Sequence, residues 1–144
     1  LFYGTPSEAD VESFARRVLS PHYFRTNSGP TLVGHYDGYD HSQYHGDVIW
    51  AKQAAFTAEG FTRQLAYGRA NSWADSTLEL IAAARTDVAG TMLAAFAALG
   101  QFPEVHYDDQ GLARLYTDQP APEGVMNRVQ LWSAAAARRL AASQ

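Results

Sequence analysis

Hydrophobic residues recur at helical spacing in four separate stretches of this chain. In the first stretch the apolar positions lie three or four residues apart, which predicts a helix over about 6–19 that ends before Pro21. Thr5 is the expected N-cap of this helix, and Glu8 three residues later would complete a capping box.

Two longer stretches follow. An alanine-rich apolar stripe predicts a second helix over about 47–67. A third stretch predicts helical structure over about 72–99, capped by Ser72 and ended by Gly100. Gly90 leaves open whether this stretch forms one kinked helix or two.

The final helix is expected to start at Asn127, where another capping box is possible, and to run to about residue 142. The helices are joined alternately by short turns and by two long loops, 21–46 and 101–126. No segment with a period of two residues is long enough for an extended sheet, so the pattern predicts an all-α fold. A short strand pair inside a loop, for instance around 113–116, stays open.

The composition fits one globular domain and disfavours two classes of partner. The chain has 144 residues, of which 47% are hydrophobic and 18% charged, enough for a single core. The net charge is −4 and the basic residues are scattered, so we expect no nucleic-acid partner. No uninterrupted apolar run reaches the roughly 18 residues of a membrane span. With no signal-peptide pattern, we expect no membrane partner and a cytoplasmic location.

Aromatic residues concentrate in or beside the loops, where binding groups tend to lie. Tyr36, Tyr44, Trp50 and Tyr107 are interleaved with carboxylates such as Asp47. Flat rings stack on the apolar faces of sugar rings while carboxylates hold their hydroxyl groups, so these five residues are candidates for substrate binding. For an aromatic residue at helical spacing, such as Trp50, burial in the core is the ordinary alternative.

The histidines suggest a different kind of site. His45-x-Asp47 followed by the distant His106 matches the spacing of an iron site made of two histidines and one carboxylate. His35 and His41 extend the set towards a zinc cluster. Iron oxygenases with that motif are built on β-barrels, however, and this pattern is helical. Histidines that only form hydrogen bonds are the ordinary alternative, and we assign no metal and no cofactor.

Glu104 is the candidate catalytic residue. It follows the expected helix stop at Gly100 and lies beside Pro103, so its side chain should lie just past a helix C-terminus. A carboxylate in such a loop is a candidate for proton transfer. The alternative is a solvated loop glutamate without a chemical role.

Three sequence blocks together resemble a known enzyme family. Residues 44–50 (YHGDVIW), 102–104 (FPE) and 127–133 (NRVQLWS) occur in the order of corresponding blocks in (α/α)6-barrel glycoside hydrolases. The chain resembles bacterial glycogen-debranching glucosidases of the amylo-α-1,6-glucosidase type, and more distantly glucoamylases. The resemblance covers roughly residues 10–142.

The resemblance implies a fold, a mechanism and the part of the catalytic domain that this chain represents. It identifies residues 1–144 as the C-terminal part of an (α/α)6 catalytic domain, an all-α toroid whose remaining helices would come from the same barrel, as another chain or fragment. It implies cleavage of α-glucosidic bonds with inversion by two carboxylates. Glu104 corresponds to the general base, while Tyr44, His45 and Trp50 correspond to residues that line the sugar subsite. The general acid would come from an upstream loop.

Two other classes of function stay open. The same aromatic loops would serve a non-catalytic carbohydrate-binding or structural helical module. A metal-dependent enzyme would instead use His45, Asp47 and His106. Glu104→Gln distinguishes the glycosidase from the binding module, because only the enzyme loses turnover while it retains sugar binding. Robust hydrolysis by the 144-residue chain alone would contradict the interpretation as part of a larger barrel.

Overall fold

Helices dominate the part of the chain that the computed structural model describes, which is residues 5–35, 40, 42–118 and 131–142. The helices are α1 (Glu8–Val18), α2 (Ala51–Ala70), α3 (Asp75–Leu99) and α4 (Leu131–Ala141). The strands are β1 (Arg25–Thr26), β2 (Gly29–Pro30), β3 (Ile49–Trp50), β4 (Val105–Asp109) and β5 (Leu112–Leu115), and a short 3-10 helix (Tyr116–Asp118) follows β5.

Helix α1 begins two residues later than its sequence suggests. Ser7 is the N-cap: its Oγ accepts a hydrogen bond from the Asp10 amide, and the Asp10 carboxylate accepts one from the Ser7 amide, each at 3.2 Å. The capping box therefore uses Ser7 and Asp10, and the predicted pair of Thr5 and Glu8 is wrong. Glu8 has a different partner, because its carboxylate accepts a hydrogen bond of 2.9 Å from the Ala74 amide at the start of α3.

Helix α3 is one continuous helix. Its buried face, which includes Val88 and Met92, runs past Gly90 without interruption, so continuous packing outweighs the helix-weakening glycine. The N-cap is Ala74 rather than the predicted Ser72, which adopts a positive φ of 56° in the turn after α2. The predicted stop is confirmed, since Gly100 takes the left-handed conformation with φ 65°.

The prediction of an all-α fold, with helix hairpins of an (α/α)6 toroid, is wrong. Strands β3, β4 and β5 form an antiparallel sheet in that order, and β1 pairs with β2 in a second small sheet. Ile49 lies opposite His106, and Trp50 lies opposite Val105. Strand β3 has only two residues and pairs with a partner more than fifty residues away, so it has no alternation that a local pattern could reveal. The short strand left open around 113–116 is confirmed as β5.

This sheet also explains why α2 starts late. The sequence predicted a helix from about residue 47, but Ile49 and Trp50 are paired with β4, and Trp50 becomes the N-cap of α2 with an extended backbone. The chain therefore changes from strand to helix between Trp50 and Ala51. The predicted cap of the last helix at Asn127 lies outside the described residues.

The buried residues form two clusters. The larger one joins α1, α2, α3 and α4 through small and medium apolar side chains, with Phe61 fully buried among them. The smaller one holds Val48, Val105, Tyr107 and Tyr116 beside the three-stranded sheet. The helical core therefore supports the sheet and the loops attached to it.

Among the described residues, α3 is the one helix long and apolar enough to meet the length and composition test for a membrane span. Charged residues such as Glu79, Arg85 and Asp87 interrupt its apolar sequence. In this fold α3 packs against α1, α2 and α4. Its buried residues, among them Ile81, Val88 and Met92, belong to the helical core.

Candidate functional site

Two distant sequence blocks meet at the edge of the three-stranded sheet. Glu104 immediately precedes β4, and the 44–50 block leads into β3. Because Trp50 lies opposite Val105 in the ladder, the two blocks arrive side by side. The Tyr44 hydroxyl donates a hydrogen bond of 3.1 Å to Oε1 of Glu104. The sheet is thus the element that brings the carboxylate and the aromatic loop together.

The electrostatics of this contact fix its direction. Burial, followed by the hydrogen bond to Glu104 and its negative charge, raises the pKa of Tyr44 above its ordinary value of 10.0. The phenol therefore stays protonated at neutral pH and acts as the donor. Glu104 is half-buried, and within the described part of the chain its Oε2 atom accepts no hydrogen bond. One carboxylate oxygen is held by Tyr44, and the other has no hydrogen-bond donor among the described residues.

Aromatic rings surround the tyrosine. The Tyr44 and Trp50 ring centroids are 4.7 Å apart, and His45 stacks on Trp50 at 5.5 Å with an interplanar angle of 18°. The Trp50 indole Nε1 donates to the Tyr44 carbonyl oxygen at 3.3 Å, which ties the start of the block to its end. His45 is exposed while Tyr44 and Trp50 are half-buried. The result is an aromatic surface beside a carboxylate.

Tyr116 is a site residue that sequence reasoning missed. Its ring lies edge-on to Tyr44 with centroids 6.3 Å apart, and its hydroxyl donates a hydrogen bond of 2.6 Å to the Ser42 carbonyl oxygen. It is almost fully buried and follows β5 directly. Its one sequence signal was the possible strand around 113–116, which did not show what the strand would pair with.

The third sequence block also reaches this place. Ser133, on α4, is buried, and its Oγ donates a hydrogen bond of 2.6 Å to the Pro103 carbonyl oxygen. The neighbouring Trp132 points elsewhere: it is 66% exposed, and the Lys52 ammonium lies 5.4 Å from its ring centroid. The described part of the 127–133 block thus contacts the residue before Glu104 through its serine.

The other residues proposed from sequence lie in different surroundings. Asp47 is paired with His35, whose Nδ1 atom lies 3.1 Å from Oδ1 of the aspartate. Tyr107 is buried in the small cluster beside the sheet, and burial is the main reason that its pKa is raised. Tyr36 lies outside the described residues. Of the candidates, Tyr44, His45, Trp50 and Glu104 form one contiguous group.

The histidines that the structure describes lie in separate surroundings. His106 is fully buried, and burial lowers its pKa to about 4. At neutral pH the ring is therefore uncharged, and Nε2 donates to the Ser28 carbonyl oxygen at 2.9 Å. His45 instead stacks on Trp50, and His41 lies outside the described residues. In the ranges described, no three histidine or carboxylate side chains form a group that could hold a metal ion.

Two surface grooves lie on either side of Phe56, which is 49% exposed on α2. The one between α1 and α2 has a volume of about 560 Å³, and the one between α2 and α4 about 350 Å³. Neither is lined by Tyr44, Trp50 or Glu104. The two grooves are therefore separate from the group formed by Tyr44, Trp50 and Glu104.

Glu104 is thus the point at which all three sequence blocks meet. Tyr44 contacts its carboxylate, Trp50 pairs with the residue after it, and Ser133 contacts the residue before it. Comparisons with protein families, curated proteins and solved structures find no match for this chain.

Proposed function

We propose that this chain is part of a glycoside hydrolase that cleaves α-glucosidic bonds with inversion, and that Glu104 is its general base. The observation that carries the proposal is the Tyr44–Glu104 hydrogen bond of 3.1 Å beside the stacked rings of Trp50 and His45. The proposal rests on this group of residues and on the resemblance of the three sequence blocks. It does not depend on an all-helical toroid.

The reaction uses the two oxygens of Glu104 differently. Tyr44 holds Oε1, so Oε2 accepts a proton from a water molecule while that water attacks the anomeric carbon. The glycosidic C–O bond breaks, and the leaving oxygen takes a proton from a second carboxylic acid. In an inverting enzyme the two carboxyl groups stand about 6.5–9.5 Å apart so that the water fits between the base and the sugar. The resemblance assigns the general acid to an upstream loop of the enzyme.

The aromatic residues supply the sugar platform. Trp50 and His45 present a stacked pair of rings next to the carboxylate, and a pyranose ring packs its apolar C–H face on such a surface. Asp47 and Tyr107 are not part of this platform, because Asp47 is paired with His35 and Tyr107 is buried beside the sheet. Catalysis by two carboxylates requires no cofactor. We place the enzyme in the cytoplasm, where storage polysaccharides are processed.

The second candidate function is a non-catalytic carbohydrate-binding module. It uses the same rings of Tyr44, His45 and Trp50, and Glu104 then only accepts hydrogen bonds from sugar hydroxyls. The observation that favours it is the shallow position of the platform, since His45 is exposed. The two functions differ in one respect: only the enzyme needs an ionised Glu104 to activate water.

The experiment compares wild type with Glu104→Gln in sugar binding and in turnover. Maltotriose and isomaltotriose are the probes, and the β-linked cellotriose is the control sugar. Binding is measured by calorimetry on the 144-residue chain, and glucose release is measured separately on the enzyme that includes the upstream part to which the general acid is assigned. We expect Glu104→Gln to retain the dissociation constant within about threefold and to lose turnover by about 10²- to 10⁴-fold, the usual contribution of a general base.

A pair of tryptophan variants locates the binding. Trp50→Phe should weaken it at least tenfold, whereas Trp73→Phe should not change it, because Trp73 packs on Tyr67 in the region where α2 meets α3. Unchanged turnover in Glu104→Gln overturns the role of Glu104. Binding that is never accompanied by turnover establishes the binding module instead. The absence of any binding overturns both functions.

A further inference from the structure

We propose that Ser133 is a positioning residue for Glu104: from helix α4 it fixes the peptide that joins Pro103 to Glu104 and thereby aims the carboxylate at Tyr44. The inference rests on the proposed function only for the use that is made of the aimed carboxylate. The positioning itself involves only the Ser133 hydroxyl, the peptide between Pro103 and Glu104, and the Glu104 carboxylate.

Residues 102–104 need contacts from elsewhere in the fold to hold them in place. These residues belong to no helix or strand, and the regular ladder starts only at Val105. Pro103 has no amide hydrogen with which to anchor itself. Its carbonyl oxygen is therefore the one backbone group of Pro103 that can form a hydrogen bond, and the Ser133 hydroxyl donates to it at 2.6 Å.

The geometry of the peptide bond between Pro103 and Glu104 carries the effect of Ser133 to Glu104. The carbonyl of Pro103 and the amide of Glu104 belong to one planar peptide unit. A hydrogen bond that fixes the direction of the carbonyl also fixes the plane from which the Glu104 Cα projects. On the other side, Val105 is held opposite Trp50 by the ladder. Glu104 is consequently fastened on both sides, and its side chain reaches Tyr44 without support from a regular element of its own.

The Ser133 hydroxyl is a rigidly held hydrogen-bond donor. Ser133 is 2% exposed, and Pro103 is fully buried, so water does not compete for this hydrogen bond. Helix α4 packs on α2 and α3, and Arg139 pairs with Glu59 of α2. The donor is thus attached to the helical core. This hydrogen bond is a direct link through which the core supports the candidate site.

A purely structural serine would also satisfy a buried carbonyl, so the test must report on the Glu104 side chain itself. The readout is the nuclear Overhauser effect between the Tyr44 ring protons and the Glu104 methylene protons, recorded at neutral pH on protein that circular dichroism shows to be folded. We expect Ser133→Ala to lower this signal at least threefold. Ser133→Thr, which keeps the hydroxyl, should restore it.

Two further variants complete the design. Ser76→Ala removes an exposed serine from α3 and should leave the signal unchanged. If Ser133→Ala does not fold, Ser133→Cys replaces it, because a thiol has a similar size and is a much weaker donor. A full signal in folded Ser133→Ala or Ser133→Cys overturns the positioning role.

A kinetic measurement separates this inference from the proposed function. In the enzyme that includes the upstream part with the general acid, Ser133→Ala should lower kcat about tenfold with KM within twofold, and Ser133→Thr should recover it. A lost Overhauser signal without glycosidase activity in any variant supports positioning and rejects the hydrolase. Normal kcat in Ser133→Ala together with a retained signal rejects positioning and leaves the hydrolase standing.

Discussion

The helical core and the three-stranded sheet differ in how much of each element the local sequence specifies. Within each helix, the apolar positions follow one another every three or four residues, and the core is built mostly of alanine, valine and leucine. The sheet cluster joins Val48 to Val105 and Tyr116, residues separated by more than fifty positions. The helices of the core are thus specified locally, although they pack on one another across long sequence separations, whereas the strands of the candidate site form only when distant segments pair.

The two regions also differ in chemistry. The helical core contains few polar side chains, while the sheet region holds a buried histidine, a tyrosine bonded to a carboxylate and a stack of rings. Burial of apolar surface stabilises the first region. The second region gains less apolar contact and carries the groups that could act on a ligand. The comparison predicts that mutations in the core mainly change stability and that mutations at the sheet mainly change pH response and binding.

The largest effect is expected in the helical core. Phe61 is fully buried, with its ring centroid 5.7 Å from that of Phe14. Phe61→Ala should lower the free energy of unfolding by about 3–5 kcal/mol, because it removes apolar contacts and leaves a cavity. Urea denaturation followed by circular dichroism measures this change.

Phe56→Ala is the matched control on the same helix. Phe56 is 49% exposed, so its removal should cost less than about 1 kcal/mol. Equal losses in the two variants would contradict the assignment of Phe61 to the core and of Phe56 to the surface.

The second effect is a pH dependence that originates at the sheet. Burial holds the pKa of His106 at about 4, below its ordinary value of 6.5. Between these values the unfolded chain binds a proton that the folded protein does not, so stability is complete above pH 6.5 and falls as the pH drops towards 4. The free energy of unfolding should decrease by about 2 kcal/mol from pH 7 to pH 5 on account of this residue.

His106→Gln isolates this contribution. The glutamine amide can donate to the Ser28 carbonyl oxygen in place of Nε2, but it does not titrate. The variant should therefore lose about 2 kcal/mol of the pH dependence that the wild type shows over this interval. An identical pH dependence in both proteins would show that His106 is not buried in its neutral form.

The smallest effect compares two tyrosine–tryptophan pairs. Tyr44→Phe removes a half-buried hydrogen bond to Glu104 and should lower the free energy of unfolding by about 1 kcal/mol. Tyr67→Phe should leave it within about 0.5 kcal/mol, because the Tyr67 hydroxyl makes no hydrogen bond within the described ranges and only the ring packs on Trp73. Thermal unfolding of both variants measures the difference. A larger loss for Tyr67→Phe would reverse the expected order.

The sequence predicted the helices well because helical spacing is a local property. The stop at Gly100 follows from a residue that tolerates a positive φ. Helix starts were predicted less well: Glu8 bonds to the Ala74 amide rather than to its own helix, a contact that depends on tertiary packing. The late start of α2 has the same kind of cause, since the pairing of Trp50 with Val105 keeps the residues before Ala51 out of the helix, although the apolar stripe begins earlier.

The candidate site was predicted in part. Tyr44, Trp50 and Glu104 were named from loop position and from the resemblance, and the sheet brings them into contact. Tyr116 and the role of Ser133 were not found, because each depends on a contact across more than twenty residues that no local pattern encodes. The error of an all-α fold has the same origin, since β3 is too short to show any alternation.

The central claim is that the sheet region binds a sugar while the helical core supports it. Backbone amide chemical shifts, recorded while maltotriose is added to the ¹⁵N-labelled protein, test this claim most directly. The account predicts that the largest shifts occur at Tyr44–Trp50, Glu104 and Tyr116, and that residues of α2 and α3 near Trp73 stay unchanged. Shifts confined to the grooves beside Phe56, or no shifts at all, would contradict it.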